Sequence, residues 1–171
     1  MIKVINNFFP NFEYIKDSFK KISLYEQKEF NEKFNETQTW PGKRSALLNE
    51  SAKFLTLLFS ELVIKHNALP ESLNNLTFNL YTHLRLEKDH SDDWVHQDIS
   101  PYAGIVFLSK TNTDSGTLFY DRDKKTVLHK ISAVENTAVF FHGNIFHKSG
   151  LNYGDNIDNG RLTLNSFFFY R

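Results

Sequence analysis

The segment "LTFNLYTHLRLE" at residues 76–87 decides the fold class predicted for this chain. Apolar and polar residues alternate along it, whereas the residues before Pro70 show helical spacing. A period of two is typical of a β-strand with one buried face. Further segments of β character follow, separated by Asn, Asp, Gly and Ser: 94–99, 103–109, 117–121, 126–131, 137–141, 145–148 and 161–170. Short strands without intervening helices predict an antiparallel sandwich or barrel of the jelly-roll kind.

The residues before Pro70 predict helices. Asn11 is a residue type that caps helices, and Phe12, Ile15, Phe19 and Ile22 follow it at helical spacing. A second stripe consists of Leu48, Ala52, Leu55, Phe59, Leu62 and His66. Between them, Pro41-Gly42 favours a turn over residues 39–45. We therefore predict one domain over residues 1–171, with a helical support region at 1–70 and a β core at 76–171.

Composition limits the classes of function. The 171 residues suffice for one domain with a substantial core. Because the formal net charge is zero, no broad basic field is available for nucleic acid. The absence of cysteine excludes disulfides, iron–sulfur clusters and a cysteine nucleophile. No apolar run is long enough for a signal peptide or a membrane span, which favours a soluble cytoplasmic protein.

The segment "DDWVHQD" at residues 92–98 carries the candidate chemistry. His96 and Asp98 are two residues apart on the predicted strand 94–99, so both side chains should point to one face. Burying them together is costly unless a cation joins them. A second histidine would complete a site of two histidines and one carboxylate, a set diagnostic of non-haem Fe(II) oxygenases.

Three downstream histidines are candidates for the remaining ligand: His129, His142 and His147. We select His147, because it precedes a loop at residues 150–160 rich in Gly, Asn and Asp, where the mouth of a site is expected. His142 lies in "FFHGN" and is interpreted as a solvated turn residue. His129 lies between charged neighbours and is interpreted as a surface strand residue.

Several other side chains have two interpretations. Arg161, Thr163 and Asn165 share one face of the last strand, and the planar fork of an arginine can bind both oxygens of a carboxylate. His83 and Arg85 line the site or lie on an exposed sheet face. Trp94 and Phe107 are expected in the core. The acidic segment 87–93, which includes His90, is a solvated loop or a flap over the site.

The ordered set His96-x-Asp98, His147, Arg161 and Thr163 resembles that of the 2-oxoglutarate- and Fe(II)-dependent oxygenases, particularly their prolyl-hydroxylase-like branch. The resemblance covers residues 78–170 and includes "YAGIVFLSK" and "DSGTLFY" between the ligand positions. It implies a double-stranded β-helix, the cupin-like jelly roll. It also implies that His96, Asp98 and His147 bind Fe(II), which 2-oxoglutarate chelates. Arg161 and Thr163 would bind its distal carboxylate, with Tyr81 as a further contact.

The same resemblance implies a dioxygenase that uses O2, with ascorbate as an accessory reductant. Such an enzyme couples oxidation of a protein side chain or small molecule to conversion of 2-oxoglutarate to succinate. Related halogenases have a small residue at the position of Asp98, so a carboxylate favours hydroxylation. Two alternatives remain: a cupin-like metal- or ligand-binding module without catalysis, and a β-sandwich interaction protein without metal. Neutral net charge disfavours a nucleic-acid substrate.

Overall fold

This computed structural model describes residues 1–37, 39–89 and 94–171. Its strands form two antiparallel β-sheets. The strands are β1 (Ile2–Ile5), β2 (Leu24–Glu26), β3 (Lys43–Ser45), β4 (Leu76–Arg85), β5 (Tyr102–Phe107), β6 (Asn112–Tyr120), β7 (Val127–Ala133), β8 (Thr137–His142), β9 (His147–Ser149) and β10 (Arg161–Tyr170). The helices are α1 (Phe12–Lys20), α2 (Gln27–Phe34), α3 (Leu48–Ser51), α4 (Lys53–Lys65) and a 3-10 turn at Leu73–Asn75. None of these helices has the length and apolar character that crossing a membrane requires.

The register of the larger sheet assigns its two faces to different partners. Its strand order is β1-β8-β5-β10-β4-β3-β2, and the smaller sheet has the order β7-β6-β9. The pairs of β10 with β4 run from Arg161 opposite Arg85 to Tyr170 opposite Leu76. Directly opposed residues point to the same face. Even-numbered residues of both strands therefore share one face, and odd-numbered residues share the other.

The even-numbered face packs against the helices. Leu80 and Leu164 are fully buried in a core that also contains Phe59 of α4. The Phe59 ring lies 5.8 Å from that of Phe8 and 6.3 Å from that of Phe140, measured between centroids. Leu55, Phe59 and Leu62 of the predicted helical stripe are buried in this core, so that face of α4 packs against the sheet.

The odd-numbered face of the larger sheet meets the smaller sheet. Phe107, Phe119, Val139 and Phe141 form a second buried cluster between the two. Away from this cluster, some of the odd-numbered residues of β4 and β10 line the cavity described below: Asn79, Tyr81, His83, Arg85, Asn165, Phe167 and Phe169. The two sheets therefore pack face to face, and polar residues of β4 and β10, such as Arg85 and Asn165, line part of the space between them.

The mainly helical character predicted for residues 1–70 is incomplete, because three short strands also lie there. β1 pairs with β8, and β2 and β3 extend the sheet beyond β4. β3 replaces part of the predicted turn at 39–45. The hydrogen bonds of these strands come from distant segments, which local spacing cannot reveal. Asn11 begins α1 in the left-handed conformation and makes no side-chain capping bond.

We expect Asn136→Ala to lower the free energy of unfolding by about 1–3 kcal/mol more than Asn35→Ala. Both asparagines have a left-handed backbone, with φ 57° and 53°. Asn136 is buried, and its side chain accepts from the Phe9 N–H at 2.8 Å and donates to the Phe9 carbonyl at 3.0 Å. Asn35 is exposed, so its alanine variant removes mainly the conformational preference. Urea unfolding measures both variants, and equal losses would contradict the role of the two hydrogen bonds.

Candidate metal centre and cavity

A short backbone pairing brings His96 and His147 side by side. The His96 N–H donates to the His147 carbonyl at 3.0 Å, and the His147 N–H donates to the His96 carbonyl at 2.8 Å. This isolated antiparallel bridge replaces the strand predicted at 94–99. Because directly opposed residues project to one face, the bridge places both imidazoles together, with ring centroids 4.5 Å apart.

A close approach of two chain segments positions Asp98. Its N–H donates to the Gly143 carbonyl at 2.8 Å, directly after the end of β8. A Cβ atom on Gly143 would lie 1.9 Å from the Ser100 carbonyl oxygen, so only glycine fits there. The amide of Gln97 also donates to the Asn144 carbonyl. The segment containing His96 and Asp98 is therefore held against the β8–β9 connection rather than inside a sheet.

The three side chains converge through acceptor atoms. Asp98 Oδ2 lies 3.5 Å from His147 Nε2, and Asp98 Oδ1 lies 3.9 Å from His96 Nε2. The ligand atoms of the three residues all lie within 4.8 Å of one another. His96 Nδ1 is 2.9 Å from the Trp94 carbonyl, and His147 Nδ1 is 2.9 Å from the Ile145 carbonyl.

These contacts fix the tautomer of each neutral ring. A carbonyl oxygen accepts only from an N–H, so Nδ1 carries the proton and Nε2 presents a lone pair. Two lone pairs then face a carboxylate, an arrangement that a divalent cation stabilises. The donor set of two imidazoles and one carboxylate suits Fe(II) and leaves further coordination positions open.

Burial supports the same chemistry. Desolvation raises the pKa of the Asp98 carboxyl, and the nearby His147 and His96 oppose that increase. The Asp98 side chain is 13 % exposed and that of His147 is 7 % exposed. Phe141 packs edge-on against the His147 ring with centroids 4.7 Å apart. The carboxylate therefore loses much of its hydration, and a bound cation would compensate for that loss.

Arg161 and Thr163 lie on the inner face of β10, and both are buried. Arg161 Nη2 donates to the Gly116 carbonyl at 3.1 Å, and its guanidinium carbon is 5.8 Å from the centre of the Phe107 ring. The Thr163 hydroxyl donates to Asn165 Oδ1 at 2.8 Å. Both side chains already have contacts within the protein, and neither lines the two cavities described below.

His83 and Arg85 are buried, so the interpretation of an exposed sheet face is wrong for both. Arg85 stands directly opposite Arg161, and His83 stands directly opposite Thr163. Burial lowers the pKa of His83 far below its usual range, and the charges of Arg85 and Arg161 add to this effect. His83 Nε2 lies 2.8 Å from the Pro41 carbonyl, to which it donates as a neutral ring.

We expect His83 to make the protein less stable as the pH falls. Unfolded histidine binds a proton below about pH 6.5, whereas folded His83 stays neutral, so acid favours the unfolded chain. The free energy of unfolding is therefore unaffected by His83 protonation above that pH, and it decreases progressively below it. Urea unfolding at a series of pH values should show a shallower acid-side slope for His83→Gln than for wild type. His129 is exposed on β7, so His129→Asn is the matched control and should keep the wild-type slope.

A cavity of about 680 Å³ opens beside the three converging side chains. His96 and Asp98 line it at one end, and Arg44 of β3 lines it farther along the sheet. Its aromatic wall consists of Trp40, Tyr81, Trp94, Phe167 and Phe169. A second cavity, of about 70 Å³, is lined by Asp98, His147, Thr117 and Arg85. The Thr117 hydroxyl there is buried and has no hydrogen-bond partner among the described residues.

Tyr81 and Arg44 both line the larger cavity, and their side chains are in contact. The guanidinium carbon of Arg44 lies 4.4 Å from the centre of the Tyr81 ring. Burial raises the pKa of the Tyr81 hydroxyl, against the opposing charge of Arg44, so the hydroxyl remains a donor. Burial lowers the pKa of Arg44, which Tyr81 and Glu36 oppose, and a guanidinium stays charged throughout the usual pH range.

Other predicted positions are distributed as follows. Trp94, expected in the core, is 49 % exposed and lies beside His96, whereas Phe107 is buried as expected. His142 ends β8 and packs on Tyr102 with ring centroids 4.9 Å apart, so it is not a turn residue. His129 is exposed on β7, in agreement with its interpretation. His90 and most of the acidic segment lie outside the described residues.

The sequence reasoning missed Arg44, Trp40 and Thr117 as wall residues. Arg44 and Trp40 lie in the segment interpreted as a turn, where no face could be assigned. Thr117 begins the strand predicted at 117–121, but the sequence does not show which side of the sheet its side chain faces. The alternation of polar residues along β4 indicates that Arg85 shares a face with His83. Only the register of β4 against β10 shows that this face is the buried one that lines the cavity.

No protein-family model matches the sequence, and no curated protein matches it significantly. Solved structures are similar to the fold. An oxidoreductase of the 2OG-Fe(II) oxygenase family from Burkholderia pseudomallei has a TM-score of 0.66 at 10 % identity, over 98 % of this chain and 84 % of that one. The non-heme alpha ketoglutarate dependent carbocyclase SnoK from nogalamycin biosynthesis gives 0.65 at 13 %, over 99 % and 81 %.

HygX from Streptomyces hygroscopicus, solved with nickel and 2-oxoglutarate bound, gives a TM-score of 0.61 at 12 % identity, over 99 % of this chain and 82 % of that one. At these identities the similarity concerns the course of the backbone. The chain therefore shares the fold of these three structures over nearly its whole length.

Proposed function

We propose that this protein is an Fe(II)- and 2-oxoglutarate-dependent dioxygenase built on a double-stranded β-helix. One observation carries the proposal: two imidazoles, each with Nδ1 bonded to a carbonyl, turn Nε2 toward one carboxylate. The assigned metal ligands are His96, Asp98 and His147. The resemblance of residues 78–170 supports the prolyl-hydroxylase-like branch, with residues 1–70 as support for a single domain.

The proposed binding of 2-oxoglutarate uses the arginines at the paired ends of β4 and β10. Arg161 and Arg85 stand directly opposite each other, and both are buried. Like charges in such a pair repel, and an anion between or beside them relieves the repulsion. The distal carboxylate of 2-oxoglutarate is assigned to Arg161, with Thr163 and Tyr81 as further contacts. The orphaned Thr117 hydroxyl beside the ligands offers one more donor.

Fe(II) bound at this site would supply activation of O2 coupled to conversion of 2-oxoglutarate to succinate. The protein's own residues would hold and orient the metal ion, 2-oxoglutarate and the substrate. Asp98 and the two neutral imidazoles leave a divalent ion with net positive charge for an anionic chelator. Phe119 and Phe141 cover His147 on the inner side and exclude water there. The open side faces the larger cavity, where a substrate would be hydroxylated.

Succinate formation tests this function. Purified protein with Fe(II), 2-oxoglutarate and ascorbate in air should convert 2-oxoglutarate slowly to succinate even without substrate. Chelation of the metal or removal of oxygen should stop the conversion. No succinate, together with no Fe(II)-dependent binding of 2-oxoglutarate, would contradict the proposal.

A second candidate is a cupin-like metal-binding module without oxidative catalysis. One observation favours it: Arg161 and Thr163 already donate to Gly116 and Asn165 and are buried. If these contacts persist, the distal carboxylate has no receptor on β10. A protein that binds Mn(II) tightly, and whose metal site does not bind 2-oxoglutarate, would support this candidate.

A further inference from the structure

The floor of the larger cavity alternates aromatic rings and side-chain amides. On the inner face of β4 and β10, Asn79 stands directly opposite Phe167, and Tyr81 stands directly opposite Asn165. All four residues line the cavity. The rings of Tyr81 and Phe167 form one diagonal of this square, with centroids 6.3 Å apart. The two asparagines form the other diagonal, and residues in that relation are about 7–8 Å apart.

Both amides keep hydrogen-bonding groups for a ligand. Asn165 Oδ1 accepts from the Thr163 hydroxyl at 2.8 Å, which leaves the Asn165 Nδ2 group as a donor. The Asn79 side chain makes no hydrogen bond within the described part of the chain, so its donor and its acceptor both remain. Asn165 also lines the smaller cavity together with Asp98 and His147. It is therefore the amide nearer the metal ligands.

Arg44 does not present an uncompensated charge to this floor. Its guanidinium carbon lies 3.8 Å from the centre of the Trp40 ring and 4.4 Å from that of Tyr81, and the Glu36 carboxylate acts on its charge. The charged residues at the other end of the cavity belong to the part that the proposed function assigns to the metal ion and 2-oxoglutarate. Between these ends the floor offers amides and rings, which suit an uncharged ligand with polar substituents.

Apolar side chains also stand at the mouth of the cavity. Trp94 is 49 % exposed and Ile99 is 99 % exposed, and both line the cavity. The centroid of the Trp94 ring lies 5.8 Å from that of His96, so this indole is next to the metal ligands. Rings of a ligand pack on such side chains in offset or edge-on geometry. The volume of about 680 Å³ is in the range of small-molecule sites.

We propose that the substrate is an uncharged compound of fused rings with hydroxyl or carbonyl groups, two of which bind at Asn165 and Asn79. This inference rests on the proposed function and names the substrate class of the same site. The ring faces lie on Tyr81 and Phe167, and two fused six-membered rings span the distance between the two amides. The end bound at Asn165 is the one nearer the metal ligands. Asn79 is thus a specificity-determining residue that sets which end of the substrate faces the metal.

Calorimetric titration of the protein loaded with Mn(II) and 2-oxoglutarate tests this assignment with matched probes. 2,6-Dihydroxynaphthalene has a hydroxyl group at each end of two fused rings, 2-naphthol has only one hydroxyl group, and 1,6-hexanediol has two hydroxyl groups but no ring. Dihydroxynaphthalene should bind about fivefold more tightly than 2-naphthol, and hexanediol should bind more weakly than either. The anion 6-hydroxy-2-naphthoate should bind no more tightly than dihydroxynaphthalene, because the floor offers no uncompensated cation.

Asn79→Leu tests the amide farther from the metal ligands. The variant removes the hydrogen-bonding groups with little change in side-chain volume. Its affinity for dihydroxynaphthalene should therefore fall about fivefold, to that of 2-naphthol, whose own affinity should change little. Asn74 is exposed and does not line the cavity, so Asn74→Leu is the matched control and should behave as wild type.

A second variant, at the exposed mouth, keeps the test decisive if Asn79→Leu fails to fold. Trp94→Ala should weaken binding of both naphthalene probes about tenfold and leave that of hexanediol unchanged. Tyr14 is exposed on α1, so Tyr14→Ala is its control. The inference is overturned if wild type binds dihydroxynaphthalene and 2-naphthol equally, if the naphthoate binds more tightly than both, or if the affinities are unchanged in both variants.

The same titrations without metal and 2-oxoglutarate separate this inference from the proposed function. Absence of Fe(II)-dependent binding of 2-oxoglutarate contradicts the proposed function, whereas the selectivity that depends on Asn79 and Trp94 is measured independently. Normal binding of 2-oxoglutarate, together with no discrimination among the probes, overturns the inference alone.

Discussion

His147→Ala should abolish metal-dependent binding of 2-oxoglutarate, with a loss of metal affinity of more than about 100-fold. His147 supplies one of two imidazole nitrogens that face Asp98, and it is the most buried of the three ligands. Removing it leaves one imidazole and one carboxylate, too few to hold a divalent ion against water. Anaerobic titration with Mn(II), followed by titration with 2-oxoglutarate, measures both steps.

His142→Ala is the matched control, because His142 is the competing histidine of the same chain segment. It packs on Tyr102, and it is not among the residues that converge with Asp98. Its variant should bind Mn(II) with wild-type affinity. If His142→Ala loses the metal and His147→Ala keeps it, the ligand assignment is wrong.

Arg161→Met should weaken binding of 2-oxoglutarate by about 2–5 kcal/mol while the Mn(II) affinity stays unchanged. The variant keeps the length of the side chain but removes the planar fork that binds both carboxylate oxygens. Arg161→Lys should recover only part of the loss, because an ammonium cannot reproduce that geometry. Titration of the Mn(II)-loaded variants with 2-oxoglutarate provides both affinities.

Arg85→Met discriminates between the two opposed arginines. Arg85 lines both cavities, whereas Arg161 is buried behind its contact with Gly116. We expect Arg161→Met to lose more affinity for 2-oxoglutarate than Arg85→Met. If Arg85→Met alone causes the loss, then the distal carboxylate binds at β4 and the assignment to Arg161 fails.

The order of the candidate ligands and the β character after Pro70 could be predicted from the sequence. Alternation along β4 and β10 defines a buried face through neighbouring residues, so local spacing suffices. The convergence of His96 and His147 could not be derived in this way. It depends on an isolated bridge between segments about fifty residues apart, which leaves no periodic signal.

The burial of His83 and Arg85 was also beyond local reasoning. Their alternation is that of an ordinary half-exposed strand, and only the pairing of β4 with β10 and β3 covers them. The prediction for Trp94 is wrong in the opposite sense, because this residue was expected in the core and is 49 % exposed. An aromatic residue next to a predicted strand is usually core, but without a strand at 94–99 its side chain stays at the cavity mouth.

The most direct test of the central claim is a crystal structure of the protein grown with Mn(II), measured at a wavelength where manganese scatters anomalously. We expect one anomalous peak about 2.1 Å from Nε2 of His96, Nε2 of His147 and one Asp98 oxygen. A fully loaded crystal with its peak elsewhere, or with either imidazole bound through Nδ1, would contradict it.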